Sequence, residues 1–432
     1  MDQDEGSGLL GEVEVKRALR FFLRTPALWR IGRPLLNLYL LKERNRPFRL
    51  WVDFLCRVFE EAYRRDRPVI WTNAFFPVEA IYAVGAVPFL PEIFAALVAY
   101  FDWSRGGIAK GNQWLSTDLC SFYRCVMGLA LEGLLPEPDL IITSSHLCDG
   151  TNKFFAELGR LYSVPHMLLD PPYSKDRRAK AYVEEQLRDI LTEASRLLDL
   201  RVKDETLRAT MALYRRTWKA MMDVAELRRA VPTPFPGSEG LSYVAGMSFY
   251  SMGTEEGLDF FTSLRRYIAR RVARHQGYLP RERHRVLWLH HIRPYYPNPI
   301  FDFLDRKGIA VTYEEANYPW WPEPDPDDPW GSLAEKVISN PWAGPVEGRI
   351  QAVKEMVRAY KVHGVIHFSQ WGCRQSTAAA ALLGEVVKGM GIPYLILPGD
   401  GADPDNYSWG QTITRLQAFS EVLDQRWRCT QG

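Results

Sequence analysis

From Pro68 onward, short apolar runs alternate with longer stretches in which apolar residues recur every three or four positions. "PVIWTN" predicts a strand, "FPVEAIYAVGA" the helix after it, and "VPFLPE" a second extended piece. "DLIITSS" predicts another strand, followed by a helix from about Cys148 to Tyr162 and a further strand at "PHMLLD". Strands apolar on both faces and joined by helices imply a parallel sheet covered on both sides. A charged helical region over 174–229 runs into "VPTPFPGSEG", whose prolines and glycines mark a break between lobes. The pattern then restarts: "HRVLWLHH" is a strand, "NPIFDFLDRKG" a helix closed by glycine, and "IAVTYEEA" the next strand. "GVIHFSQ" and "IPYLILPG" complete the second set. The expected fold class is therefore α/β, in two lobes of similar design but without a clean sequence repeat. The expected division is a helical N-terminal arm over 1–66, a first α/β lobe with a helical extension over 67–235, and a second α/β lobe over 236–432. "NYPWWPEPDPDDPW" is too rich in Pro and Asp for regular structure, and reads as either a lid over a cleft or a surface excursion.

Composition narrows the class. A chain of 432 residues exceeds one ordinary core. Its 47% hydrophobic and 25% charged content describes a globular protein. Fourteen Trp and an aromatic share of 13% supply either core packing or the walls of an apolar cavity. A net charge of +2 argues against the concentrated basic face of a nucleic-acid binder. The arm "RALRFFLRTPALWRIGRPLLNLYLLKERNRPFRL" mixes Arg with apolar residues, suited to a helix packed on the body or on a partner subunit, or to contact with a membrane surface or an anionic ligand. Prolines and arginines interrupt it, so no membrane span is expected. "MDQDEG" does not fit the basic start of a secretory signal, and a cytoplasmic protein is expected.

Six cysteines in such a chain are no disulfide framework: Cys56, Cys120, Cys125, Cys148, Cys373 and Cys429. They are inert core thiols, nucleophiles or metal ligands. Ligand sites in open α/β sheets lie beyond the carboxyl ends of the strands. Cys148 follows "DLIITSSHL", Cys373 follows "GVIHFSQWG", and Cys120 opens the helical "LCSFYRCVMGLALEGL". Three thiols from separated loops can meet between two such lobes. The C-x2-C pairs that zinc prefers are missing. Nothing in the spacing gives a nucleophilic cysteine its base, and His146 reads as a loop residue. An iron–sulfur cluster on three cysteines, with one iron left open, fits better. No glycine-rich nucleotide-binding loop is present.

Four segments in order carry a resemblance: "FFPVEAIYAVGAVPFLPE", "LCSFYRCVMGLALEGLLPEPDLIITSSHLCDGTNKFF", "HFSQWGCRQSTAAAALL" and "GIPYLILPGDGADPDNYSWGQTITRLQAFSEVL". Together they resemble the 2-hydroxyacyl-CoA dehydratase and benzoyl-CoA reductase family, in its D-component and B-type subunits. The resemblance implies two flavodoxin-like lobes with Cys120, Cys148 and Cys373 ligating a four-iron four-sulfur (4Fe-4S) cluster between them. It implies an acyl-CoA substrate, low-potential electrons from an ATP-dependent iron–sulfur activator protein, and a radical dehydration or reduction. It places Glu79 at an acidic family position, read as a proton-handling residue or a surface cap. Asp400 and Arg415 match positions that suit a structural ion pair at least as well as catalysis, while Gly85 and Gly150 read as backbone necessities. Cys125 is a core residue or a further ligand. A double-cubane (8Fe-9S) reductase of small molecules is the alternative, with Cys56 and Cys429 as weak ligand candidates, and a non-catalytic electron-transfer subunit is another. The "PDPDDPWGSLA" and "GCRQS" segments resemble the larger subunit type and "CDG" the smaller, so a heterodimer with a homologous second subunit and a homodimer both stay open.

Overall fold

In the computed structural model, residues 45–201 and 203–431 are described, together with Thr25, Gly32, Pro34 and Leu38. Most of the expected arm, and the side chain of Cys429, lie outside the described residues.

The described chain opens with α1 (Arg46–Arg64), started by Asn45, whose side chain accepts from the Phe48 amide at 3.0 Å. Its apolar stripe, Phe54, Leu55, Val58, Phe59 and Ala62, is buried against the first sheet. That sheet holds β1 (Val69–Trp71), β2 (Val87–Phe89), β3 (Leu140–Ser144) and β4 (His166–Leu169). All pairs are parallel and the order is β2-β1-β3-β4. The connections run through α2 (Val78–Ala83), α3 (Pro91–Tyr100), α4 (Ser104–Gly111), α5 (Ser121–Leu131) and α6 (Asp149–Tyr162). β1, β2 and β3 are buried throughout, which is why they read as largely apolar runs. The charged region forms two helices, α7 (Arg177–Leu197) and α8 (Asp204–Leu227), and α9 (Glu255–Ala273) packs along α8 and α1.

The second sheet repeats the first. β5 (His284–Leu289), β6 (Ile309–Glu314), β7 (Gly364–Gln370) and β8 (Tyr394–Gly399) are parallel in the order β6-β5-β7-β8. They are joined by α10 (Ile300–Arg306), α11 (Pro329–Ile338), α12 (Val346–Ala359), the short α13 (Arg374–Thr377) and α14 (Ala380–Gly389), and α15 (Trp409–Gln431) follows. The expected pair of flavodoxin-like lobes is thus observed. Residues from the later half, among them Trp321 and Leu333, join the core of the first sheet. The Trp- and Asp-rich stretch is pinned to the body: Trp321 is buried, its carbonyl accepts from Trp218, and Asp328 caps α11 through the Gly331 amide at 3.1 Å.

Two close approaches fix α5 against α4. A Cβ added to Gly128 would lie 1.8 Å from the Gly107 carbonyl oxygen, and one on Gly111 would lie 1.9 Å from that of Arg124. Only glycine lets α4 and α5 touch at backbone distance. Between the lobes, the fully buried Asp400 accepts from the Ser121 hydroxyl, and Arg124 reaches Asp403 at 3.2 Å.

Candidate functional site

In each sheet the strand order reverses beside the first strand, so a crevice opens at the carboxyl ends of β1 and β3, and of β5 and β7. Both crevices open onto one cavity of about 1200 Å³. Phe75 follows β1 into it, Cys148 follows β3, His290 and His291 follow β5, and Cys373 follows β7. Cys120 joins them from the start of α5.

The three thiols share a local design. Cys120, Cys148 and Cys373 are each the residue immediately before the first turn of a helix, α5, α6 and α13, and no sulfur is used as a side-chain cap. Unpaired amides at a helix start favour a thiolate there. Burial opposes it: the Cys120 thiol is raised well above its ordinary value by burial and then by the neighbouring Cys373 and Cys148. The Cys373 thiol is pushed up to about 11, again mainly by burial. The loops interlock at Gly372, whose φ of 69° only glycine adopts easily, and where a Cβ would lie 2.8 Å from the Cys120 amide nitrogen. None of the three is in a disulfide. Among the described residues no three His, Cys, Asp or Glu side chains converge on a single metal ion. An iron–sulfur cluster spreads its thiolates over different irons, and three separate thiols around one cavity suit that requirement.

Beside Cys373 stands a buried polar network. The His290 ring nitrogen Nε2 is 3.7 Å from the Cys373 sulfur. His290 has a φ of 100°, a strained value for a side-chain-bearing residue, and its amide donates to Glu315 at 2.6 Å. Arg349 clasps the same carboxylate through Nε at 2.7 Å and Nη2 at 2.9 Å, and the Trp342 indole donates to it at 2.6 Å. Against the effect of burial, Arg349 holds the Glu315 carboxyl well below the usual range. His291 packs edge-on to Trp342, and burial pulls its imidazole down to about 4, so the ring is neutral at pH 7. His290 Nδ1 and His291 Nε2 are buried without a hydrogen-bond partner. Glu92, in the first turn of α3, also lines the cavity with its Oε2 unpartnered. Burial pushes its carboxyl up to about 8, so it is protonated at neutral pH.

The other residues singled out from sequence fall elsewhere. Glu79 is fully buried and does not line the cavity; its Oε1 accepts from Lys336 at 2.6 Å, which removes the surface-cap reading. Asp400 and Arg415 do not pair: Asp400 has Arg124 as its nearest cation at 4.0 Å, and Arg415 lines a separate cavity of about 530 Å³. Cys125 is fully buried against Gly107, whereas Cys56 lines the main cavity. Gly85 has a φ of 84°, a genuine glycine position. At Gly150 the constraint is space, since a Cβ would lie 2.9 Å from Leu119. His146 is half-buried in the loop before Cys148. Glu92, His290 and His291 were not singled out from sequence, yet each lies within three residues of a strand's carboxyl end. No described helix is long and apolar enough to cross a membrane.

Comparison with known proteins gives the same family from outside. Residues 73–423 match the family model described as 2-hydroxyglutaryl-CoA dehydratase, D-component. The chain is 24% identical over 393 residues to the (R)-phenyllactyl-CoA dehydratase alpha subunit of Clostridium sporogenes, covering 84% of this chain and 91% of that one. It is 22% identical over 379 residues to a benzoyl-CoA reductase subunit of Thauera aromatica, covering 81% and 87%. The beta subunit of the same phenyllactyl-CoA enzyme matches at 23% over 360 residues, covering 79% and 91%.

Proposed function

The chain belongs to the 2-hydroxyglutaryl-CoA dehydratase D-component family, and from that premise we propose that it is the iron–sulfur subunit of an enzyme that dehydrates or reduces an acyl-CoA thioester. The observation that carries the reading is the meeting of three helix-starting cysteines, Cys120, Cys148 and Cys373, on one cavity between the carboxyl ends of two sheets. These three would hold a 4Fe-4S cluster. When bound, such a cluster supplies one-electron reduction at low potential and a Lewis-acidic iron with an open position.

The chain's own residues do the rest. The helix starts stabilise negative sulfur. Phe75, Phe249 and Trp51 line the cavity with apolar surface that keeps water from a reduced acyl group. Neutral His291 offers a hydrogen-bond donor to a carbonyl oxygen, where negative charge collects on reduction. Protonated Glu92 offers a proton to a departing hydroxyl or to a reduced carbon. Electrons come from an ATP-dependent activator. The relatives bear the names of alpha and beta subunits, which supports a homologous partner, or a second copy, in the assembly.

Iron and acid-labile sulfide per chain after anaerobic purification test this reading. About four of each, lost in Cys148→Ala, is the expected result. About eight irons per chain would transfer the proposal to the double-cubane reductase, and none would end it.

A further inference from the structure

Buried arginines in this protein come with carboxylates. Arg228 is held by Glu314 at 2.8 Å, Arg349 by Glu315 at 2.7 Å, Arg124 by Asp403 at 3.2 Å and Arg285 by Glu282 at 2.8 Å. Arg293 differs: it is half-buried on the cavity wall and has no such clasp. It follows β5 into the main cavity, and among the described residues it has no carboxylate within 4.0 Å. Its Nε donates to the Pro294 carbonyl at 3.1 Å, and its Nη1 to the Ser238 carbonyl at 3.2 Å and the Ser242 hydroxyl at 3.3 Å. The guanidinium carbon sits 4.8 Å from the ring centroid of Phe301. Nη2 makes no hydrogen bond to the described chain. Burial lowers the pKa of this guanidinium, with Asp302 opposing it only weakly, whereas directly paired carboxylates hold those of Arg228 and Arg349 up.

A cation partly withdrawn from water with no direct counter-charge costs free energy. Here the carbonyls and the ring hold the guanidinium of a cavity-lining residue while Nη2 is left uncommitted. The other arginine on the cavity wall, Arg105, is tied to Asp102 and Asp405, each at 3.0 Å. Glu92, protonated at neutral pH, supplies no counter-charge. Asp302 acts on Arg293 only from beyond 4.0 Å, so a directly paired anion is one that a ligand can supply.

We propose that Arg293 is the anion-recognition residue of this cavity, pairing through its free edge with a carboxylate or phosphate of the acyl-CoA. The inference rests on the acyl-CoA reading and adds what that reading lacks: a residue that grips the ligand by charge. The anionic group is either a carboxylate on the acyl chain or a phosphate of the CoA.

Calorimetric titration of the anaerobically purified protein separates these. The ligands are butyryl-CoA, glutaryl-CoA and the uncharged ester S-butyrylpantetheine, each against wild type, Arg293→Gln and Arg293→Lys. Arg293→Gln is expected to weaken an anionic ligand at least about tenfold and to leave the uncharged ester as in wild type. Arg293→Lys, which keeps the charge and loses the planar fork, is expected to fall between. Equal weakening of both CoA esters assigns the phosphate; weakening confined to glutaryl-CoA assigns the acyl carboxylate. If Arg293→Gln binds every CoA ester as wild type does, or weakens the uncharged ester as much as the charged ones, the Arg293 inference is overturned and the acyl-CoA reading stands. Wild type binding none of the three would instead remove the acyl-CoA reading, and this inference with it.

Discussion

Glu92 shows how one side chain couples stability to chemistry. Its carboxyl is unpartnered at Oε2 and pushed up to about 8 by burial, so the folded chain keeps a proton that the unfolded chain releases near 4.5. The sign follows: stability attributable to this group is full below about 4.5 and is lost as pH rises toward about 8. Melting temperature measured across that range should fall less steeply in Glu92→Gln than in wild type. The same substitution removes the proton donor, and turnover with the reconstituted assembly should drop about 100-fold or more. Glu79 is predicted to behave oppositely. It is buried in a pair with Lys336, whose ammonium also lies 5.1 Å from the ring centroids of Tyr214 and Trp321. Glu79→Ala strands that ammonium and should cost about 3–5 kcal/mol in urea unfolding. Iron content of the folded fraction should not change; a loss of iron at full stability would return Glu79 to the site. Sequence could not show this, because the partner of Glu79 lies 257 positions away. The cavity residues were more accessible to reading. Glu92, His290 and Arg293 each follow a strand end, and the rule that located Cys148 and Cys373 applies equally to them. What hid them is that a lone polar residue after a strand looks like any loop residue until its burial is known.

At the scale of elements, the site is made of turns that hold helix starts against one another. The strands were legible because burial on both faces leaves apolar runs, as in the "LII" of β3 and the "VLWL" of β5. The interlock of the β7–α13 turn with the start of α5 was not legible, because it depends on backbone proximity across the lobes. Gly372 stands at the contact: its φ is 69°, and a Cβ would lie 2.8 Å from the Cys120 nitrogen and 2.9 Å from the Asp118 carbonyl oxygen. Gly372→Ala therefore adds about 1–2 kcal/mol of backbone strain and forces the Cys373 turn away from Cys120. The expected outcome is a folded protein, by circular dichroism, with less than half the wild-type iron. Full iron in that variant would show that the turn can move without separating the thiols.

At the scale of the whole molecule, two sheets of the same strand order face one cavity, and the buried carboxylate of Asp400 helps stitch the seam between them. Asp400 lies just after β8 and is fully buried. It accepts from Ser121 of the first lobe, from the amides of Ala402 and Asp403 at 3.0 Å each, and from Asn406 at 3.1 Å. Ser121 directly follows Cys120, and Gln370, which donates to Asp400 at 3.2 Å, lies three residues before Cys373. One side chain thus ties together the segments that carry two of the three thiols. Asp400→Ala leaves those donors unsatisfied in a dry interior, at a cost of about 3–5 kcal/mol. Because the seam joins the lobes, the loss should not be spread evenly. Hydrogen exchange should accelerate at the start of α5 and in the β7–α13 turn while β1, β3 and β5 stay protected. Uniform acceleration across both sheets would mean that Asp400 supports the cores and not the seam.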